Sequence, residues 1–349
     1  ALGNRFDPAG RLRDTRDMEL VEFGPDEADH LTAFLDVADR ARAVDSPWEP
    51  VRTAYRQTAY MRHSWEGEPG RWFVAYDGAT PVGAAAIDAS DYDNLDMAWL
   101  RLTVAPGLRR RGHGAAMLRG LEELAAAMDR PLIHLSGWDG PGLHRLATGL
   151  GYERRSAEIR RLQVVAEAPD LGPVHAAAAA HAQDYELLRV EGSSPDDLLP
   201  ALVDLTAAIN DAPVDDLEWE DEVYSVDRVR AYERAQVESG FRFRRVVARH
   251  RPTGELAGHS VVVVDTEQPE IGEQHDTSVV GAHRGHRLGL LLKAEMLLWL
   301  AAAEPQVARI YTWNAEANAP MVAGNEPPGD SPLGRGLAVC LLHLRLSSL

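Results

Sequence analysis

One cysteine, Cys340, occurs in 349 residues. That excludes an internal disulfide framework and any zinc site built from clustered cysteines. No run of 18 apolar residues is present, so no membrane span is expected. The N-terminal stretch ALGNRFDPAGRLRDTRD lacks an apolar core segment, so no signal peptide is read there and a cytoplasmic location is expected. Basic residues are outnumbered: 36 Lys+Arg against 54 Asp+Glu give a formal charge of -18 and a pI near 5.1. Nucleic-acid affinity rests on many Lys/Arg–phosphate contacts, so DNA and RNA are not expected partners, and neither is a membrane. What is present, 45% hydrophobic residues at a mean hydropathy of -0.28, fits a water-soluble globular protein. The length exceeds what one core usually serves, so two domains are expected.

Two short stretches stand out in so acidic a chain. LRRRGHG runs from Leu108 to Gly114 and HRGHRLG from His283 to Gly289, and each opens a long Ala/Leu-rich stretch that reads as helix. Arg109 and Arg284 are 175 positions apart, half the chain, which points to a duplicated unit.

The two halves read in the same order. In the first, a strand (Met18–Phe23) and an amphipathic helix precede a hairpin over Arg71–Asp88, turning at Asp77-Gly78. A strand over Met97–Val104, the Arg/Gly loop, a helix to about Met128, the strand PLIHLSGW and closing strand material at Glu158–Val165 follow. In the second, YELLRVE, two helices, a hairpin over 241–265, the strand EQHDTSVV, the second loop, a helix to about Ala303 and VARIYTWN repeat that order. Residues 166–183, rich in Pro and Ala and without apolar periodicity, read as an exposed linker. The expected domains are therefore 1–165 and 184–349, each an α+β unit.

The joint of strand, glycine-bearing loop and helix has a physical use. A helix start presents unpaired N–H groups and the positive end of its dipole, which suits a phosphate. Glycine permits close approach and arginine adds charge-assisted hydrogen bonds. The loops are not Walker A loops, since no Gly-Lys-Ser/Thr follows, and Gly112-x-Gly114 lacks the third glycine of a dinucleotide fingerprint. An arginine-capped surface helix start is the plainer alternative for either loop alone.

LTVAPGLRRRGHG resembles the signature of the Gcn5-related N-acetyltransferases (GNATs), whose loop reads Arg/Gln-x-x-Gly-x-Gly/Ala after a Leu-x-Val strand. Arg109, Gly112 and Gly114 match it, with Leu102 and Val104 on the strand. TSVVGAHRGHRLG matches at Arg284 and Gly289, with Val279 where Val104 stands, but Arg287 replaces the middle glycine. The resemblance covers both halves. It implies two tandem GNAT-like domains, each a mixed, mostly antiparallel sheet flanked by helices. It implies acetyl-CoA (or another acyl-CoA) as donor, a small-molecule amine as acceptor, and transfer between them; a homodimer is compatible with it. It places the CoA pyrophosphate on Arg109, Arg110, Arg111, Gly112, His113, Gly114 and Ala115, and in the second half on Arg284, Gly285, Arg287 and Gly289. The pantetheine then lies along Leu102–Val104 or beside Val279.

An ammonium is no nucleophile, so this chemistry needs a carboxylate to take its proton. The family's glutamate falls on Glu273 in the second half and, by the same offset, on Ala98 in the first, with Asp96 nearby in phase. The family's asparagine falls on Asn318 in the second half and on Gly140 in the first. The tyrosine that often protonates the leaving thiolate is Ala147 in one half and Asn325 in the other. Glu273 and Asn318 are thus the expected catalytic pair, and the first half is expected to hold CoA in a structural role. A CoA-binding regulatory or scaffold protein without turnover is the alternative. Glu273 beside Gly272 also reads as a solvated loop-end carboxylate, and Asn318 as a helix cap. His275 and Asp276 read as acceptor-pocket or structural residues, since no third ligand at metal spacing accompanies them. The acidic run Asp215–Tyr224 reads as a solvated segment or an attractor of cations.

Overall fold

The computed structural model describes residues 11–13, 18–168, 170–211, 220–316 and 330–342. The chain divides into two compact units: Ala1–Ser64, Glu68–Ser156 and Gly334–Leu349 form the first, and Trp65–Gly67 and Ala157–Leu333 the second.

The first unit contains β1 (Arg11–Arg13), β2 (Met18–Phe23), α1 (Ala28–Asp45), α2 (Ala54–His63), β3 (Arg71–Asp77), β4 (Thr80–Asp88), β5 (Met97–Val104), α3 (His113–Ala127), β6 (Leu132–Trp138) and α4 (Pro141–Gly149). Strands β1 to β5 pair antiparallel in sequence order, and β6 joins β5 in parallel. Most of β7 (Glu153–Val164) belongs to the second unit, with α5 (Leu171–Ala179), β8 (Tyr185–Glu191), α6 (Leu199–Ala207), α7 (Val226–Glu238), β9 (Phe241–His250), β10 (Leu256–Asp265), β11 (Ile271–Val279), α8 (Leu288–Ala303) and β12 (Arg309–Ala315). There β8 to β11 pair antiparallel in order, and β12 joins β11 in parallel.

Each sheet is closed by a strand from the other half of the sequence. Residues 336–342 of β13 (Asp330–Leu342) lie antiparallel on β6, and residues 158–164 of β7 lie antiparallel on β12. The mixed, mostly antiparallel sheets are those expected, but the boundaries differ. Neither half of the sequence is a self-contained domain, because a strand needs a neighbour for its N–H and C=O groups and finds it in the other half.

The 166–183 linker is also corrected. Asp170 caps α5 through Gly172 N, and Ala178 and Ala182 are buried with Leu291, Leu292 and Met296 of α8. A run of alanines has the highest helix propensity of any residue type and needs no bulky periodic positions to pack closely. Apolar periodicity was therefore the wrong signal there.

Each sheet carries cores on both faces. In the first unit Met117, Leu118, Leu121 and Leu124 of α3 pack on Ala98, Leu100 and Ile133, while Phe34 and Val37 of α1 pack on Trp72, Val74 and Ala86 opposite. In the second, α8 packs on Val246, Val262 and Val264, while α6 and α7 cover Val247 and the Phe243–Val261–Val263 cluster.

Burial of His134 on β6 pushes its imidazole down to about 4. The unfolded chain takes up this proton near pH 6.5 while the folded chain does not. The stability His134 permits is therefore full above pH 6.5 and is lost as pH falls toward 4, at about 1.4 kcal/mol per pH unit. Urea unfolding between pH 7 and 4.5 should show this slope, and His134→Gln should flatten it; an unchanged slope would assign it to other groups.

Candidate active site

In both units the parallel strand pair splays apart. β5 pairs with β6 only from Met97 to Leu100, and β11 with β12 only from Ile271 to Glu273. Beyond those points Arg101–Val104 and Gln274–Val279 turn their edge to a gap, where peptide groups can accept an extended, amide-bearing ligand as an added strand.

At the wide end of each gap is an Arg/Gly loop. Each passes through a 3₁₀ turn (Pro106–Leu108 or Gly281–His283) before its helix starts. Each places two residues in left-handed conformation: Arg110 (φ 67°) and Gly112 (φ 93°) in the first, Gly285 (φ 89°) and Arg287 (φ 56°) in the second. The missing middle glycine is thus half of an exchange. Both loops need positive φ at the same two points, and each gives one to glycine and one to arginine, at about 1–2 kcal/mol for the arginine. The helix-start position is bare at Gly112 and carries a side chain at Arg287. Neither α3 nor α8 has a side-chain cap or an acidic residue in its first turn, whereas Thr53, Asp170 and Ser225 cap α2, α5 and α7. Uncapped helix starts with open N–H groups fit a pyrophosphate.

The first arginine of each loop does something the sequence did not indicate. Arg109 donates from Nε to Val104 O at 3.0 Å and forks onto Asp45 at 2.8 and 2.5 Å. Arg284 donates from Nε to Val279 O at 3.1 Å and reaches Asp211 at 2.7 Å. Both brace the loop against the strand end and a carboxylate. Leu102 and Val104 pack on the α3 core, Val279 on the α8 core, and His113 lies 3.9 Å from Asp77. Gly114 rests beside Val104, where a Cβ would make ordinary contact at 3.6 Å.

The units differ at the narrow end. Val104 faces Gly83 and Trp99 faces Asp88, five steps along both strands. Val279 faces Gly258 and Glu273 faces Val263, five steps along β10 but six along β11. The extra residue is a β-bulge at His275–Asp276. Val261, skipped in the register, receives Gln274 Nε2 on its carbonyl at 2.7 Å. Counting across a bulge by sequence offset shifts the answer by one and to the other face. The counterpart of Glu273 is therefore Trp99. Ala98 is buried on the α3 side, whereas Glu273 faces Val263 on the side covered by α7, and Asp96 precedes the strand.

The bulge gathers a polar cluster on that face. Glu273 is half-exposed, with Arg160 of β7 at 3.7 Å. His275 Nδ1 lies 2.6 Å from the Tyr232 hydroxyl, and its ring lies 4.5 Å from that of Trp65. Burial pushes His275 down to about 3, with Asp276 opposing and Arg160 adding to the shift. Burial also holds the Tyr232 phenol well above its usual range, with Arg245 opposing. At neutral pH both are uncharged. Asp276 accepts from His259 at 2.5 Å and Ser278 at 3.1 Å, so it serves the bulge and not a metal. Among the described residues no group of three or more His, Cys, Asp or Glu could hold a metal ion.

Residues 37–138 match the Acetyltransferase (GNAT) family. A mycothiol acetyltransferase of Kineococcus radiotolerans is 42% identical over 148 residues, 42% of this chain and 46% of that protein. One of Geodermatophilus obscurus is 57% identical over 53 residues, 15% of this chain and 17% of that protein. The chain thus matches less than half the length of these curated relatives. The solved tandem GNAT protein from the clavulanic acid biosynthesis pathway superposes with a TM-score of 0.74 at 25% identity, over 93% of this chain and 98% of that one. The chain has the fold of a tandem GNAT protein, and residues 37–138 carry the family match. A GCN5-related N-acetyltransferase from Sphaerobacter thermophilus shares the fold, with a TM-score of 0.64 at 13% identity over 92% of this chain and 95% of that one.

Within this fold the structure brings Glu273, the bulge and the splayed edge together. Asn318, like Asn325, lies outside the described residues. Glu222 and Tyr224 of the acidic run are hydrogen-bonded to each other, and Glu222 lies 3.5 Å from Arg228, so this part of the run is not a free cation attractor; 212–219 lie outside the described residues. Among the described residues no helix is long and apolar enough to cross a membrane. Arg160 and Tyr232 are the additions to the candidate site, beside His275, already read as an acceptor-pocket or structural residue. His275 was legible as a neighbour of Glu273; Arg160 was not, because it arrives on a strand from the other half.

Proposed function

We propose that this chain is an acyl-CoA-dependent N-acyltransferase acting on a small-molecule amine in the cytoplasm, with chemistry in the second unit and CoA held as a structural ligand in the first. The observation that carries this reading is Glu273: a half-exposed carboxylate at the narrow end of the splay, on the face opposite α8, immediately before the bulge. In the first unit the same place holds Trp99, which cannot accept a proton.

In this reading Glu273 takes a proton from the acceptor ammonium, and the freed nitrogen bonds to the acyl carbon as the carbon–sulfur bond breaks. The departing thiolate takes up a proton in its turn. Neither Ala147 nor Asn325 can supply it, so it comes from the amine or solvent. The N–H groups at the starts of α3 and α8 hold the two pyrophosphates, with Arg110 and Arg111 adding charge and His113 a ring nitrogen at the first. Asn318 is kept as a second catalytic residue by resemblance. The relatives' names point to mycothiol and clavulanic acid chemistry; for this chain we carry over only a small amine of secondary metabolism.

Screening amines for CoA release from acetyl-CoA tests the reading. Release with at least one amine is expected; none with any would favour a non-catalytic CoA-binding protein. The loops should also differ in affinity, since Gly112 leaves the helix start bare and Arg287 does not. Titration of CoA should show the tighter site lost in Gly112→Asp and kept in Gly289→Asp; the reverse would exchange the assignments.

A further inference from the structure

We propose that the amine accepted by the second unit carries a flat apolar ring two or three bonds from its nitrogen, received between Trp65 and Trp313. This rests on the acyl-transfer reading above and extends it to the acceptor's chemical class.

Among the described residues two tryptophans are exposed, Trp65 at 45% and Trp313 at 40%, and both stand near Glu273. β11 and β12 last pair at Glu273 and Tyr311, and beyond that point they part. On β11 the next residue toward α7 is His275, bonded to Tyr232 of that helix, and its ring lies 4.5 Å from that of Trp65. On β12 it is Trp313, since Tyr311 shares the face of its partner Glu273 while Ile310 turns to the α8 core. An indole thus flanks the opening on each strand, with the carboxylate at its narrow end.

Both indoles are held in place. The Trp65 carbonyl accepts from Gln236 of α7 at 2.9 Å, and its ring lies 5.4 Å from that of Tyr232. The next residue, Glu66, receives both arms of the buried Arg228 guanidinium at 2.9 Å each. Trp65–Gly67 belong to the second unit although the sequence around them belongs to the first. Trp313 lies under the Arg160 guanidinium, 5.1 Å from its ring centroid. Yet neither indole gains the full burial that ordinarily favours so large an apolar side chain.

A flat ring entering the opening would supply that burial. Glu273 and His275 are two residues apart, at most about 7 Å along the strand. A nitrogen two or three bonds from a ring matches that reach, so the ring lies at the indoles while the ammonium meets Glu273. Aromatic pairs contribute beyond their buried area, and a flexible chain of the same size loses more rotamer freedom on binding. The opening therefore favours ring amines over chain amines.

Calorimetric titration of the full chain, loaded with CoA so that no transfer occurs, with 2-phenylethylamine and n-hexylamine tests this without turnover. The two amines carry one charge each and similar apolar bulk, so the ring is what differs. 2-Phenylethylamine should bind at least fivefold more tightly. Trp65→Leu and Trp313→Leu, which keep an apolar side chain and lose the ring, should each at least halve that ratio. Trp65→Phe should retain most of it, and thermal melts show which variants keep the fold. Equal affinity of the two amines, no binding of 2-phenylethylamine, or a ratio unchanged in the folded Leu variants would overturn the proposal. Ring amines that bind but release no CoA from acetyl-CoA would leave this site standing and sink the acyl-transfer reading. Release with chain amines alone would do the opposite.

Discussion

Glu273→Gln should lower acyl-transfer turnover by about 10²–10⁴-fold, or roughly 3–5 kcal/mol of barrier, while CoA binding is unchanged. The substitution keeps the side chain's size and removes its ability to take a proton. The deficit should shrink as pH rises, because a growing share of the amine is already deprotonated in solution. Trp99→Phe, at the corresponding position of the first unit, should leave turnover within a few-fold of the parent. Steady-state rates of CoA release between pH 6.5 and 9.5 distinguish the cases. A Glu273→Gln protein as fast as the parent throughout would remove the base from Glu273.

The second large effect is on stability. Arg245 and Glu233 form an ion pair in the second unit, 1% and 0% exposed, and Ser194 bonds to both: its Oγ donates to Glu233 at 2.6 Å and accepts from Arg245 at 2.8 Å. Ser194 N adds a bond to Glu233 at 2.8 Å. Removing one member of such a pair leaves the other charge buried without compensation. Glu233→Gln should therefore destabilise the second unit by about 3–5 kcal/mol in urea unfolding. The surface pair Arg62–Asp26, 49% and 84% exposed, is the control, and Asp26→Asn should change stability by under about 1 kcal/mol. Replacing both buried partners, as in Arg245→Met with Glu233→Leu, should recover most of the loss. A single-variant loss as small as the control's would mean that water reaches Arg245 once its partner is gone.

Much of the fold was legible because its strands announce themselves locally. Met97–Val104 and Tyr185–Glu191 have the bounds read from apolar patterning, and both hairpins lie within the spans read for them, the first turning at Asp77-Gly78. Helix α2 gave little signal, since its buried residues include Gln57 beside Ala59 and Met61. The strand exchange was illegible in principle. β7 and β13 each look like the end of their own half, and nothing local says which sheet edge a strand will join.

The candidate site divides along the same line. The loops and Glu273 stand in local motifs and could be found by offset. The offset failed at Ala98 because a bulge adds a residue without leaving a turn signal. In Gln274–Asp276 it shows only in hydrogen bonds to Val261, His259 and Tyr232, all distant in sequence. Arg109 and Arg284 show what a motif does not reveal. These arginines, the most visible as anion ligands, are paired with Asp45 and Asp211, which is why the proposed function gives the pyrophosphates to backbone N–H groups that no residue letter reveals.

The central claim is that two units bind acyl-CoA and only the second turns it over. Native mass spectrometry of the full chain, saturated with acetyl-CoA and then given an acceptor amine in a single-turnover regime, measures this directly. The account predicts two bound acetyl-CoA molecules at the start. After the amine is added it predicts one CoA in place of one acetyl-CoA, the other persisting, and no conversion in Glu273→Gln. Conversion of both, or conversion of one that Glu273→Gln leaves intact, would contradict it.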